Sequence, residues 1–211
     1  MGVVPPLYRD ISSSMPNRKA TIAQKLLYDA AMKCCMEKLA AAEIDELSAK
    51  FDDWIEMKPT IADIEKEVGS SLRQKGYLTR DEVEQIVTWK LDNSPGRQKT
   101  NIERVQSVPK KFVEHVTKAA FEVDDPKIQM KTLNAIPGIG YATATVFLAF
   151  FDPERYPVGD RYINDVFLGD DYQVTPNNYL ELVDAINDAA PDGVPLRTVE
   201  KAYYKKYVDE R

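Results

Sequence analysis

The chain reads as an all-α fold, with helical subdomains around a cleft. Three observations predict it. No stretch of the 211 residues alternates apolar and polar positions with the period of two that a half-buried strand requires. Apolar residues recur instead at three- and four-residue spacing along most of the chain. Start and stop signals for helices also punctuate it, among them the capping box Thr79-Arg80-Asp81-Glu82 and the breaker Asn93-Ser94-Pro95-Gly96.

Residues 1–19 hold Pro5-Pro6, Ser12-Ser13-Ser14 and Pro16, and are expected to form an extended arm ahead of a single all-α domain over 20–211. A long helix, or two joined by a bend near residue 42, is expected from Thr21 to Phe51, with Ile44, Leu47, Phe51 and Trp54 carrying its apolar face onward. Thr60 is the expected N-cap of the next helix, whose stripe is Ile61, Ile64, Val68 and Leu72 and whose stop is Gly76. The capping box at Thr79 opens a helix through Val83, Ile86, Val87 and Leu91, with Trp89 assigned to the core. Residues 97–107 are expected as a short helix or turn, and Pro109 begins a helix with Phe112, Val113, Val116 and Ala120 inward. Asp125-Pro126 is an N-cap followed by proline at the first helical position. After Asp160 come three more helices, over Ile163–Phe167, from Thr175-Pro176, and from Pro195.

Composition bounds the function. An apolar fraction of 44% suits an ordinary globular core. No apolar run approaches the ~20 residues of a membrane span, so no membrane partner is expected. Adjacent Cys34 and Cys35, with no secretory leader pattern, point to a reduced, intracellular setting (cytoplasm or nucleus). His115 is the only histidine and is read as a surface residue rather than a metal ligand. The net charge of −6 argues mildly against nucleic acid, but the charge is segregated. Residues 97–118 carry six cations (Arg97, Lys99, Arg104, Lys110, Lys111, Lys118) against two carboxylates, a net +4. Residues 152–192 carry ten carboxylates against Arg155 and Arg161, a net −8. The basic stretch lies just upstream of the most patterned part of the chain, where it could contact phosphate.

That part is Leu133 to Asp160, LNAIPGIGYATATVFLAFFDPERYPVGD. Ile136-Pro137-Gly138-Ile139-Gly140 cannot continue a helix, and its two glycines invite positive φ. Tyr141–Phe151 resumes an apolar helix. A glycine turn feeding a helix N-terminus presents unpaired N–H groups and the positive end of the helix dipole, a ready site for phosphate. Asp160, before a helical run, is on its own a normal N-cap worth about 1 kcal/mol.

The pattern LxxIPGIGxxTA resembles the helix-hairpin-helix DNA-binding motif (about residues 126–151), and its continuation resembles the helix-hairpin-helix base-excision DNA glycosylases of the endonuclease III group. The resemblance is specific over Leu133–Phe167 and general elsewhere. It implies double-stranded DNA as partner and Asp160 as the catalytic carboxylate. Gly138, Ile139, Gly140, Tyr141 and Thr143 would contact DNA. The backbone carbonyls of Asn134, Ile136 and Ile139 would hold a monovalent cation, with no other cofactor essential. Two departures matter. Where bifunctional members have a lysine two residues after the second glycine, this chain has Ala142, so water would attack and the product would be an abasic site. No borohydride-trapped adduct is then expected; one would place the amine on another lysine, such as Lys90 or Lys131. With only two cysteines, both near the N-terminus, the chain cannot build the iron–sulfur cluster that several members carry on four C-terminal cysteines.

The expected function is therefore a DNA-binding protein with monofunctional glycosylase-like base excision. The alternatives are a non-catalytic hairpin module for DNA or protein and a helical protein-interaction module. What separates them is whether Asp160 opens into a cleft beside the hairpin.

Overall fold

The structure is a computed structural model and describes residues 38–169 and 173–210. The arm expected over 1–19, the first part of the long N-terminal helix and the Cys34–Cys35 pair lie outside the described residues. Those residues form ten helices and no strand. They are α1 (Ala41–Glu56), α2 (Ile64–Lys75), α3 (Arg80–Lys90), α4 (Pro95–Gln106) and α5 (Lys110–Phe121), followed by α6 (Pro126–Leu133), α7 (Tyr141–Phe151), α8 (Arg161–Leu168), α9 (Pro176–Ala189) and α10 (Leu196–Asp209). None of these helices is long and apolar enough to cross a membrane.

Local chemistry explains most of the boundaries. The Thr79 hydroxyl accepts from the Glu82 N–H while the Glu82 carboxylate takes the Thr79 N–H, so both halves of the capping box form. Asp125, Asp160 and Thr175 cap α6, α8 and α9 with their side-chain oxygens. Two expectations are corrected. The cap of α2 is Asp63 rather than Thr60, because residues 59–63 form turns first. Phe112 is exposed, since Val113, Thr117 and Ala120 supply the buried face of α5. The short element expected over 97–107 is a full 12-residue helix.

The helices fall into two packed groups. In one, α10 lies along α1 and also touches α8 and α9. In the other, α3 packs against α2, α4 and α5. Helix α7 is apolar on every side, as a central helix must be. It is buried from Thr143 to Phe150 and touches α2, α3 and α6. Gly69 lets α2 approach it: a Cβ there would lie 2.9 Å from the Phe150 carbonyl oxygen. Helix α6 bridges the groups through α5 and α9.

Glu82 ties α2 to α3. Its carboxylate accepts from Ser71, Lys75 and Thr79. Burial alone would raise this carboxyl, but the bonds from Lys75, Ser71 and Thr79 hold it at about 2. Glu65 behaves alike: burial opposes its charge, and Arg197 with Lys201 brings it to about 2. Both groups bind protons more weakly folded than unfolded, so their stabilisation is complete above about pH 4.5 and is lost as pH falls toward about 2. Melting temperature followed by circular dichroism is expected to fall steeply over that window, and Glu82→Gln is expected to flatten the fall. A melting temperature flat between pH 5 and 3 would contradict it.

Candidate functional site: a carboxylate and an amine in a cleft between helices

Pro157-Val158-Gly159-Asp160 follows α7 and is held at almost every polar atom. The Tyr179 hydroxyl donates to Pro157 O at 2.8 Å. The Val158 N–H donates to Glu200 Oε2 at 3.2 Å. The Gly159 N–H donates to Thr145 Oγ1 at 2.9 Å, and the same hydroxyl donates to Ala142 O at 2.8 Å. Thr145 therefore stitches the loop to the first turns of α7. A Cβ on Gly159 would crowd Thr145 at 3.3 Å, which explains the small residue there.

Asp160 divides its carboxylate. Oδ1 caps α8, accepting from Tyr162 N–H and Ile163 N–H at 2.9 and 3.0 Å. Oδ2 faces Lys90 Nζ, 3.6 Å away at the C-terminal end of α3. The side chains of Asp160 and Lys90 are 21% and 11% exposed. Both line a cleft of about 70 Å³ between the two helix groups. Phe51, Trp54 and Ile55 of α1 form one wall, Trp89, Lys90, Asp92 and Asn93 another, and Arg197, Glu200 and Tyr204 of α10 a third.

The wall from α10 is ionic and buried. Arg197 grips Glu65 through two bonds, at 2.9 and 2.8 Å, and also bonds Glu200. Burial works against each of these charges. The carboxylates of Glu200 and Glu65 overcome it and raise Arg197 further above its ordinary range. For Glu200, burial wins over Arg197, and its carboxyl titrates above the usual range. Burial likewise lowers Lys90 from the ordinary lysine value, and the charges of Asp160 and Glu200 offset this only in part. The aromatic wall stacks Tyr204 edge-on to Phe51 at 5.6 Å, with Lys58 3.8 Å over the Trp54 ring and paired to Asp92. Trp89 is 9% exposed, lines the same cleft, and its indole N–H has no hydrogen-bond partner among the described residues.

Helix α4 links the cleft to the hairpin. It begins just past Asn93 at the rim, and at Asn101 it abuts Gly138. Gly138 has φ +91, and a Cβ there would lie 2.5 Å from Asn101 O and 3.2 Å from Arg104 Cβ. Gly140 departs from the expectation of positive φ: at φ −83 it is the extended N-cap of α7, exposed, with open space around it. The first helical bond of α7 joins Ala144 N–H to Gly140 O, so the amides of Tyr141, Ala142 and Thr143 face outward from the helix end. Ile139 N–H instead closes the turn on Ile136 O, and the side chain of Thr143 is buried.

The hairpin chemistry predicts a paired result. Gly138→Ala is expected to cost more than the roughly 1–3 kcal/mol of left-handed strain alone, because α4 must also move. Gly140→Ala is expected to stay within about 1 kcal/mol of wild type. Chemical denaturation of both variants checks this; equal losses would contradict it.

Of the basic stretch, Lys99, Lys110, Lys111 and Lys118 each face a carboxylate. Arg97 and Arg104 are exposed with no ion pair among the described residues, and Arg104 sits beside the hairpin glycine. The three carbonyls expected to hold a cation are partly used: Asn134 Nδ2 donates to Ile139 O at 2.7 Å, and Ile139 N–H to Ile136 O at 3.1 Å. Each of those oxygens keeps a second lone pair, so the set is chemically able to take an ion, and the turn closes without depending on one.

No family model matches the chain, and neither a curated protein nor a solved structure matches it. The functional reading rests on the residues themselves. Three that matter were not singled out from sequence. Thr145 reads as one more helix residue, and Arg197 and Glu200 read as the polar side of α10, whereas Tyr204 stands out in sequence with Tyr203 and Tyr207 as an aromatic cluster assigned to packing. The one available signal was an Arg–Glu pair at i, i+3 beside Leu196 and Val199, where a charged pair on an apolar stripe is costly to bury unless it is used.

Proposed function

We propose that this chain is a DNA-binding hairpin protein of the glycosylase type, which breaks the N-glycosidic bond of a flipped-out nucleotide with Asp160 as its carboxylate. The observation that carries the reading is Asp160 Oδ2, held rigid by the α8 cap and the anchored 157–160 loop, and presented to a cleft. Departure of a base leaves positive charge on the sugar C1′ and O4′. A fixed carboxylate beside that carbon stabilises the charge and orients the water that attacks. The amides of Gly140, Tyr141 and Ala142, with Arg104 alongside, would grip a phosphate and set the register of the strand. An ion bound by the Asn134, Ile136 and Ile139 carbonyls would add positive charge to the same phosphate site.

The cleft's volume favours a second reading in part. About 70 Å³ admits a few waters or a small group, not a purine. A flipped base therefore needs Trp54 and Tyr204 to swing aside, and without that motion the chain would be a non-catalytic DNA-binding module. Single-turnover incubation with duplexes that each carry one damaged or mismatched base, followed by hot alkali to cut abasic sites, decides between them. Excision of any base supports the glycosylase; salt-sensitive binding with no excision supports the module.

A further inference from the structure

We propose that Lys58 and Asp92 form an ionic strap across the mouth of the cleft, which holds it shut over Asp160 until the pair is broken. For its use to the protein, the inference rests on reading this cleft as the site.

The two longest walls of the cleft have separate packing partners. Helix α1 lies along α10, whereas α3 packs against α2, α4, α5 and α7. Side chains join these walls at two depths. At the floor, Arg197 lies 5.3 Å from the Phe51 ring of α1 and 5.2 Å from the Trp89 ring of α3, with its side chain 3% exposed. At the rim, Lys58, two residues past α1, donates at 2.7 Å to Asp92, two residues past α3. These side chains are 23% and 26% exposed, and the exposed Asn93 lies beside them, so they mark the mouth. The strap therefore runs from the end of one wall to the end of the other.

One ammonium does two things here. Lys58 Nζ bonds Asp92 and also sits 3.8 Å above the Trp54 ring, which it pins against the cleft. The backbone beneath it is fixed. Lys58 N–H donates to Ile55 O at 2.9 Å, and Lys58 O accepts from Ile61 and Ala62 at 2.9 and 3.0 Å. The long side chain is thus the part that moves. Water and salt reach a pair exposed to this degree, which makes it a releasable fastening, unlike buried Arg197. The cleft of about 70 Å³ is the strapped state. Releasing Lys58 takes the cation off Trp54 and uncouples the two walls at the rim, and the ring can then swing aside.

The molecule carries its own reporter. Its two tryptophans, Trp54 and Trp89, both line the cleft. The Trp89 indole N–H is buried and has no hydrogen-bond partner among the described residues. Its exchange with water therefore waits on opening of the structure around it, not on the breaking of a bond of its own.

The test measures indole N–H exchange by NMR on the full chain, labelled with ¹⁵N, in the absence of DNA. Trp89 is expected to exchange about tenfold faster in Asp92→Asn and in Lys58→Met, the scale of one half-exposed ion pair together with its cation–π contact. Both substitutions keep the side-chain volume, so faster exchange reports opening and not a hole. Lys58→Arg, which keeps the charge, is expected to exchange at the wild-type rate. Added sodium chloride should speed the wild type and leave Asp92→Asn unchanged. Melting curves show that the variants are folded. Wild-type exchange at Trp89 in both Asp92→Asn and Lys58→Met overturns the inference. So does a rise matched by the backbone amides of α3, which would be general loosening. Base excision is read separately on the same proteins. Faster indole exchange with no base excised from any duplex leaves the strap standing and removes the glycosylase. Excision with unchanged exchange does the reverse.

Discussion

Asp160→Asn is expected to reduce single-turnover base excision by about 10²- to 10⁴-fold, the range over which a positioned carboxylate acts. The fold should scarcely notice. Asparagine is as good an N-cap as aspartate, so its side-chain oxygen can keep the Tyr162 and Ile163 amides. What changes is the other oxygen. An amide NH₂ would face Lys90 in place of Oδ2, removing the negative charge from the cleft. Melting temperature and duplex affinity should stay close to wild type while excision disappears. Asp160→Ala makes the contrast, since it also loses the cap and with it about 1 kcal/mol. If Asp160→Asn excised at the wild-type rate, the residue would be a helix cap and nothing more.

Much of this fold was legible because its helices announce their own ends. Thr79, Asp125, Asp160 and Thr175 are caps that act within three or four residues of themselves, so sequence alone locates them. The buried stripe of α3, Val83-Ile86-Val87, follows from helical spacing in the same way. Errors arose where the deciding contact is distant. Phe112 sits on the expected apolar face of α5, but the Leu78 N–H finds the Thr117 hydroxyl instead and turns that side inward. Gly140 looked like Gly138 in sequence. In the fold only Gly138 of the two has positive φ, and only it meets another helix, at Asn101 of α4. The site divides likewise. Asp160 stands out in sequence because it follows the hairpin at a recognisable separation. Lys90 faces it from α3 and Glu200 of α10 holds its loop at Val158, and no local pattern reports neighbours so distant in sequence.

The largest effect on stability is expected at Arg197. Arg197 is 2% exposed, and its guanidinium reaches Glu65 of α2 across 132 residues of chain while also bonding Glu200 of its own helix. Its charge also lies 5.2 Å from the Trp89 ring and 5.3 Å from the Phe51 ring, so it fills the space between the two helix groups. Arg197→Ala removes the cation and leaves two carboxylates in low dielectric. Breaking a buried pair in this way costs about 3–5 kcal/mol, more than the pair contributes over an apolar replacement. For a chain of this size that lowers the melting temperature by on the order of 10 °C. Glu200→Gln should cost less, because a glutamine oxygen can still accept from Val158 N–H and Arg197 keeps Glu65. The two variants together separate scaffold from site. Arg197→Ala should lose stability and excision alike, since Glu200 is freed and the loop that presents Asp160 is no longer held at Val158. Glu200→Gln should stay folded and reveal, through its excision rate alone, how much the positioning of that loop contributes. A melting temperature for Arg197→Ala within 2 °C of wild type would mean that the network is solvated and that α1, α2 and α10 are held together by apolar contact.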